Sequence, residues 1–351
     1  MPSHLIISSS QHSTSTLYLS VLNLIHGTIM LIYAGIDEAG YGPILGPLVV
    51  GRSVFALRDA SPDQTPNLWD LLHGSVCQKL SGRQGRIPVN DSKKLKTKAA
   101  GVRHLELGVM SFLSTYADRP ADMGAWLDQL GETTHHQRHA LPWYDGDWQA
   151  LPTANTDAQI GVAANMLKHD MKDKAVKVLD MGAAVVLEDR FNHMVANTRS
   201  KASLSFTFVA GHLQYIWQRW GKHHPQVVVD RQSGRTRYMN LLRQVFPNAQ
   251  LTIIEETPKN SHYQLQTPQK SMQVRFTVDA EQAHMPVALA SMLSKYTREL
   301  FMDRLNAWFI NHQPDLKPTA GYAQDGQRFL EDIAGLMSVL NIEHSNLVRQ
   351  S

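Results

Sequence analysis

The stretch Gly35-Ile36-Asp37-Glu38-Ala39-Gly40-Tyr41-Gly42-Pro43 places two adjacent carboxylates where an apolar run ends and a glycine-rich bend begins. Leu31–Ile36 is apolar and strand-like, and Pro47–Phe55, with Val49, Val50 and Val54, is a second such run. Gly40, Gly42, Pro43, Gly46 and Pro47 punctuate the interval between them, so the two runs read as adjacent strands joined by a tight connection. Side chains alternate faces along a regular strand, and a bend after Ile36, permitted by the flanking glycines, would bring both acids to one rim. Neighbouring carboxylates repel, which is costly unless a cation or basic group shares the site. On spacing alone, an ordinary acidic turn accounts for the pair equally well.

Two further acids have similar settings. Asp230 closes the short β run Val227-Val228-Val229, where a charge is expensive unless paired or liganded. Asp279 ends the alternating run Met272–Val278, ahead of a long helix opened by Pro286, with Leu289, Met292, Leu293, Tyr296, Leu300, Leu305 and Phe309 at helical spacing. Acids at the ends of separate strands can converge at one sheet edge. Singly, each reads as a turn or capping aspartate. Together with Asp37 and Glu38 they offer four oxygen donors without cysteine, a set suited to Mg2+ or Mn2+ rather than to structural zinc. Two such ions would activate a water and stabilise the leaving oxygen of a phosphodiester.

The rest of the pattern alternates strands and helices. Helical spacing begins near Leu95 and recurs at Ile160–Met171, Leu187–Ala196, Leu204–Trp220, Arg237–Phe246 and Gln327–Leu340. Leu251–Glu255 and His262–Leu265 read as strands. Such alternation predicts an α/β fold with one sheet flanked by helices. Asp59–Asn90 reads as irregular and Arg119–Pro152 as loop-like, with Trp126, Trp143 and Trp148 embedded. At 351 residues, 43% hydrophobic and 19% charged, the chain suits one large or two modest globular domains and not a disordered or fibrous protein. No apolar run is long enough to cross a membrane. The single cysteine, Cys77, excludes an internal disulfide framework and a multi-cysteine zinc site, and the chain reads as cytosolic.

Residues 1–29 read as an untidy tail or an early start site. No basic region precedes the apolar stretch around Leu17–Ile25, so a secretory signal is not expected. The expected catalytic domain runs over 30–340, and 341–351 reads as a tail.

Charge is uneven. Net charge is +3, yet Lys79–Arg103 carries +7 and Arg199–Arg243 another +7, which leaves −11 on the remainder. Basic stretches against an acidic remainder suit a protein that grips a polyanion on one face, although solvated surface charge has the same signature.

At this point the sequence resembles ribonuclease HII, whose opening motif has the form Gly-Ile-Asp-Glu-Ala-Gly-Arg-Gly-Pro. Asn90-Asp91-Ser92-Lys93-Lys94-Leu95 matches the family's Asp-Ser-Lys-Lys-Leu, and Asp230 after three valines matches its third motif. Asp279, followed by Ala290-Ser291-Met292-Leu293-Ser294-Lys295-Tyr296-Thr297-Arg298-Glu299, resembles the fourth. Gly321-Tyr322 falls where the family has a late Gly-Tyr pair. The resemblance implies a ribonuclease H-like fold with a mixed central sheet. It also implies Mg2+- or Mn2+-dependent hydrolysis on the 5′ side of a ribonucleotide, in RNA–DNA hybrids or in DNA containing ribonucleotides.

By position, the resemblance makes Asp37, Glu38, Asp230 and Asp279 the metal-binding catalytic acids. It puts Lys93 or Lys94, and Lys295, near backbone phosphates. Gly40 and Gly42 would let the backbone approach the ribose 2′-hydroxyl, the atom that separates RNA from DNA, and Tyr322 would pack on a neighbouring sugar. A monomer with no membrane or protein partner is expected.

The chain departs from the family pattern at several points. Tyr41 stands where the family has arginine, which removes a charged fork at the ribonucleotide site but retains a ring and one hydroxyl. Arg231 stands where the family has glycine after the third aspartate. The spacing from Asp279 to Ala290 is stretched, with Glu281 and His284 inside it, and extra sequence lies at 58–88 and 116–172. These departures keep two alternatives open: a groove-retaining binding module that has lost turnover, and a related nuclease with another nucleic-acid substrate. His135-His136-His139 and His223-His224 lack partner cysteines or regular acidic spacing and read as solvated histidines. Trp217, Trp220 and Met292 read as core.

Overall fold

In the computed structural model, residues 30–58, 60, 65–132, 141–231 and 234–350 are described. The expected tail 1–29 and His135-His136-His139 lie outside them. The run from Met30 to Ala39 forms β1, and Leu48–Arg58 forms β2, paired antiparallel with Asp37 opposite Gly51. Gln226–Asp230 forms β4 and runs parallel to β1, with Gly35 beside Val228 and Ile36 beside Val229. Val176–Val186 forms β3, antiparallel to β2. Gln250–Glu256 (β5), Asn260–Gln266 (β6) and Ser271–Thr277 (β7) make an antiparallel meander, and β7 runs parallel to β4 with Thr277 beside Asp230. The seven-stranded order is β3-β2-β1-β4-β7-β6-β5.

This is the mixed central sheet flanked by helices expected of a ribonuclease H-like chain. β1 lies inside the sheet, so both its faces are covered. Its side chains divide with the period of two that a pleated strand imposes. Leu31 and Tyr33 join a core with Phe55, Leu289, Met292, Leu293, Leu105 and Phe112, whereas Ile32, Ala34 and Ile36 join one with Val54, Leu204, Val209, Leu213 and Ile216.

The helices that cover the first face are α1 (Arg103–Leu113), α2 (Met123–Gln129) and α3 (Asp157–Asp173). α4 (Glu188–Thr198), α5 (Lys201–Trp220) and α6 (Met239–Val245) follow in the chain. The long helix α7 (Met285–His312) runs against β1 and β2, and α8 (Ala323–Asp332) comes last of those named. Among the described residues, no helix is long and apolar enough to cross a membrane.

Several features differ from the sequence reading. Instead of bending after Ile36, β1 runs on through Asp37 and Glu38 to Ala39, paired with Gly51, Val50 and Val49 of β2. Strand β3 was not foreseen. Arg119–Pro152 was read as loop yet contains α2, which starts where Asp122 accepts a hydrogen bond from the Ala125 N–H at 2.9 Å. The helix expected over Gln327–Leu340 begins at Ala323 and breaks at buried Ile333, before a further turn at Ala334–Val339. Part of the additional sequence, around Trp126 and Trp143, packs against α7. Trp126 donates its indole N–H to Thr297 Oγ1 at 3.1 Å and meets Tyr296 edge-on, and Trp143 stacks on Phe309. Burial of such large rings explains why α7 is covered nearly all round over its first half.

Candidate active site

The register of the two central strands brings the first acids together. Ile36 and Val229 are side by side on parallel neighbours, so Asp37 and Asp230 leave the same end of adjacent strands, whose spacing is about 5 Å. Asp37 is buried at 7% exposure and accepts a hydrogen bond at Oδ1 from the Glu38 N–H at 2.7 Å. Burial, then the charges of Asp230 and Glu38, pushes its carboxyl well above the usual range, against hydrogen bonds from Ser291 and Glu38. Asp230 is pushed up to about 8 by burial, by the charge of Glu281 and by that of Glu38, against a 2.9 Å hydrogen bond from the Ala280 N–H. Two strained carboxyls in one place are the electrostatic signature of a site that would gain from a cation.

The second and fourth sequence motifs meet here. Ser291, which bonds the Asp37 side chain, lies 3.1 Å from Ser92 Oγ, and Ser294 donates to the Asp37 carbonyl at 3.0 Å. The one-turn helix Ser92–Leu95 is capped by Asp91, which accepts from the Lys93 N–H at 2.9 Å; this leaves Lys93 and Lys94 exposed. Both serines sit inside motifs that the sequence had flagged for their lysines.

Asp279 and Glu281 exchange prominence. Asp279 is exposed and adopts a left-handed turn, φ 54°. Glu281, two residues on, is partly buried, and its charge is the one from this turn that presses on Asp230. The stretched spacing between Asp279 and Ala290 was the sequence signal for it.

The remaining expected residues divide. Lys295 is buried against Glu299 (Nζ to Oε1, 2.6 Å), a carboxylate it shares with Lys96. Its ammonium lies 5.8 Å from the ring of Tyr322, which is 48% exposed. Gly40 has φ 89°, and a Cβ there would meet Pro47 O at 2.5 Å and the Arg298 side chain at 2.8 Å, so this glycine is demanded by the loop itself. Gly42 is exposed with nothing within 4 Å of a built Cβ, which leaves its backbone open to approach. Tyr41 is partly buried beside the core formed with α5. Arg231 donates to the carbonyls of Arg235 and Pro258. His224 bonds Ser271 Oγ at 2.7 Å.

The donors are hard oxygens, which fits Mg2+ or Mn2+. Among the described residues, no group of three or more His, Cys, Asp or Glu side chains is already gathered for metal binding. Mutual repulsion of like charges opposes such closure without a cation.

Fold and site together define a mixed α/β chain with an acidic cluster at the carboxyl end of its central parallel strands. No protein-family model matches the chain, and no curated protein is similar to it. Among solved structures it is similar to ribonuclease HII of Archaeoglobus fulgidus, in complex with PCNA, at 14% identity and TM-score 0.41 over 91% of this chain and 94% of that one. It is also similar to Bst ribonuclease HIII with Mn2+, at 12% identity and TM-score 0.40 over 91% and 66% of the two chains. Ribonuclease H2 of Pyrococcus horikoshii matches at 14% identity and TM-score 0.37, over 90% of this chain and 92% of that one.

Proposed function

We propose that this chain is a metal-dependent endoribonuclease of ribonuclease H type. It hydrolyses the phosphodiester on the 5′ side of a ribonucleotide in RNA–DNA hybrids or in DNA containing ribonucleotides. The observation that carries this reading is the placement of Asp37 and Asp230 at one end of adjacent parallel strands, both with carboxyls pushed upward by burial and by neighbouring acids. Buried like charges this close are hard to explain as scaffolding, because packing or pairing would be served by almost any other residues.

Asp37, Glu38, Asp230 and a carboxylate of the 279–281 turn would hold Mg2+ or Mn2+. Bound there, a divalent cation would acidify a water and offset charge on the phosphodiester oxygens. The chain's own groups do the rest. Ser291 and Ser294 orient Asp37 and its peptide. Lys93 and Lys94 face solvent at the junction of the second and fourth motifs, where a backbone phosphate would be drawn to them. The open backbone at Gly42 can approach a 2′-hydroxyl, and the exposed ring of Tyr322, propped by Lys295, offers an apolar face to a sugar.

The test uses three labelled duplexes (all-DNA, a long hybrid, and DNA with one ribonucleotide) incubated with Mg2+ or Mn2+. Wild type should cut the hybrid, and Asp37→Asn should lose at least about a hundredfold in rate while binding the hybrid within about threefold of wild type. Tyr41→Arg should improve cleavage at the single ribonucleotide by restoring a charged fork. A wild-type protein that binds hybrid but cuts nothing in either metal would instead be a binding module. Full activity in Asp37→Asn would refute the assignment of the acids.

A further inference from the structure

The loop Gly40–Pro47 is held from beneath by three buried charged side chains that come from three distant parts of the chain. Glu188, the first residue of α4, accepts from the Gly46 N–H at 3.0 Å and from the Tyr144 hydroxyl at 2.7 Å. Arg298 of α7 donates to Leu45 O at 2.9 Å and to Ala320 O at 3.2 Å. Arg349 donates from its guanidinium to Pro43 O, and its backbone N–H donates to Ile44 O at 2.8 Å. Each residue from Pro43 to Gly46 is therefore tied by a separate bond.

Glu188 and Arg298 are wholly buried and Arg349 is 2% exposed. Burial pushes Glu188 up to about 7 and Arg349 down to about 9. Dehydrating two guanidiniums and a carboxylate is a costly way to hold a loop, and apolar packing would serve if only stability were needed.

The segment that carries Arg349 is itself pinned. Asn192 of α4 donates to Ser345 O at 2.7 Å and Val348 O at 2.8 Å, and accepts from the Gln350 N–H at 2.7 Å. Leu347 is fully buried, and the Arg349 guanidinium lies 4.6 Å over the Phe191 ring. This stretch, tail-like in its sequence, reaches the loop that begins two residues after Glu38.

We propose that Arg349 is a positioning residue for the loop Gly40–Pro47. Its side chain and main-chain N–H set Pro43 and Ile44, and through them the open backbone at Gly42 that meets the ribose of the substrate. The inference rests on the ribonuclease reading above. It predicts a defect in ribonucleotide recognition rather than in the acids, because Asp37 and Asp230 are placed by strand register and owe nothing to Arg349.

Steady-state cleavage of a hybrid by wild type, Arg349→Met, Arg349→Lys and Asn192→Ala tests it, with an all-DNA duplex of the same sequence as competitive inhibitor. Arg349→Met should raise KM for the hybrid about tenfold, with the inhibition constant of the DNA duplex unchanged within about twofold, since a misplaced loop weakens only contacts to the ribose. Arg349→Lys, which can still donate one bond, should recover part of the loss. Asn192→Ala should show the same split at smaller size, because it loosens the segment without removing a buried charge. If Arg349→Met fails to fold, the lysine and Asn192 variants decide by that same split. Unchanged KM in the folded variants, or a fall in kcat alone, overturns the inference. A wild type that cuts no hybrid overturns the ribonuclease reading, and this inference with it.

Discussion

Glu106 offers the sharpest test of how the structure supports the site. It is wholly buried in the first turn of α1 and accepts six hydrogen bonds. These come from the Thr153 N–H (2.6 Å) and hydroxyl (2.9 Å), the Ala154 N–H (2.9 Å), the Asn155 N–H (2.8 Å) and side-chain amide (3.0 Å), and the Tyr296 hydroxyl (2.9 Å). One carboxylate thus ties the added segment at 153–155 to α7, the helix whose Ser291 and Ser294 hold Asp37. Burial alone would raise its pKa; the donors outweigh that and hold it below the ordinary value.

Glu106→Gln keeps the shape but removes the charge and turns an amide NH2 toward groups that are already donors. A hydrogen bond to a charged group contributes about 1.5–3 kcal/mol, and stranded donors add a desolvation cost. Six such bonds cannot be summed, since they share one carboxylate. The comparison is with the 3–5 kcal/mol lost when a buried charge network is broken from one side, so a loss of about 3–5 kcal/mol is expected. That is a large part of the 5–15 kcal/mol typical of a domain.

Urea unfolding at pH 7 measures the loss, with exposed Glu331→Gln as a control expected within about 0.5 kcal/mol of wild type. The sign with pH follows from the depressed pKa. The contribution is fully present above the unfolded value, 4.5, and fades as pH falls through the lower folded value, so the glutamine variant should have a shallower acid limb. A loss under about 1 kcal/mol, or an acid limb identical to wild type, would refute the account.

Two further outcomes follow from the site. In Mn2+, Glu281→Gln should slow hybrid cleavage at least about tenfold and Asp279→Asn by less than about threefold, because Glu281 is the acid whose charge reaches Asp230; the reverse order in initial rates would return the role to Asp279. Asp230 has a raised pKa, so the native state holds the extra proton between pH 3.8 and about 8, and metal-free stability should fall as pH rises through that window. Asp230→Asn should shrink this slope, to which Asp37 and Glu188 also contribute, and stabilise the metal-free protein at pH 8, as read by unfolding in EDTA at pH 5.5 and 8; an unchanged slope would show that Asp230 is not a strained group.

Much of the acidic end of the sheet was legible in the chain because its signals are local. The run before Asp37 and the valines before Asp230 each mark a strand within a few residues, although β1 extends to Ala39, past the expected bend. Strand β3 was not legible: Val176–Val186 contains Lys177, Asp180 and Gly182, so neither alternation nor a continuous apolar run marks it. Asp180 is accommodated only because Arg52 of the neighbouring strand pairs with it at 2.7 Å and Tyr215 of α5 bonds it at 3.0 Å. Such partners lie more than thirty residues away in sequence and are invisible to any local pattern. Which of Asp279 and Glu281 presses on Asp230 was hidden for a related reason. Both are acids on one short turn, and the fold leaves Asp279 exposed and Glu281 partly buried.

The amino-acid order alone therefore determined where the strands carrying Asp37, Glu38 and Asp230 lie, because propensity and hydrophobic period act over a handful of neighbours. Tertiary structure decided which acids share one electrostatic environment, that Lys96 joins Lys295 at Glu299, and that Arg349 closes over the loop beginning at Gly40. Those outcomes depend on strand register, on burial and on contacts between residues hundreds of positions apart, and a charge acquires its altered affinity for a proton or a cation only once folding has removed its water.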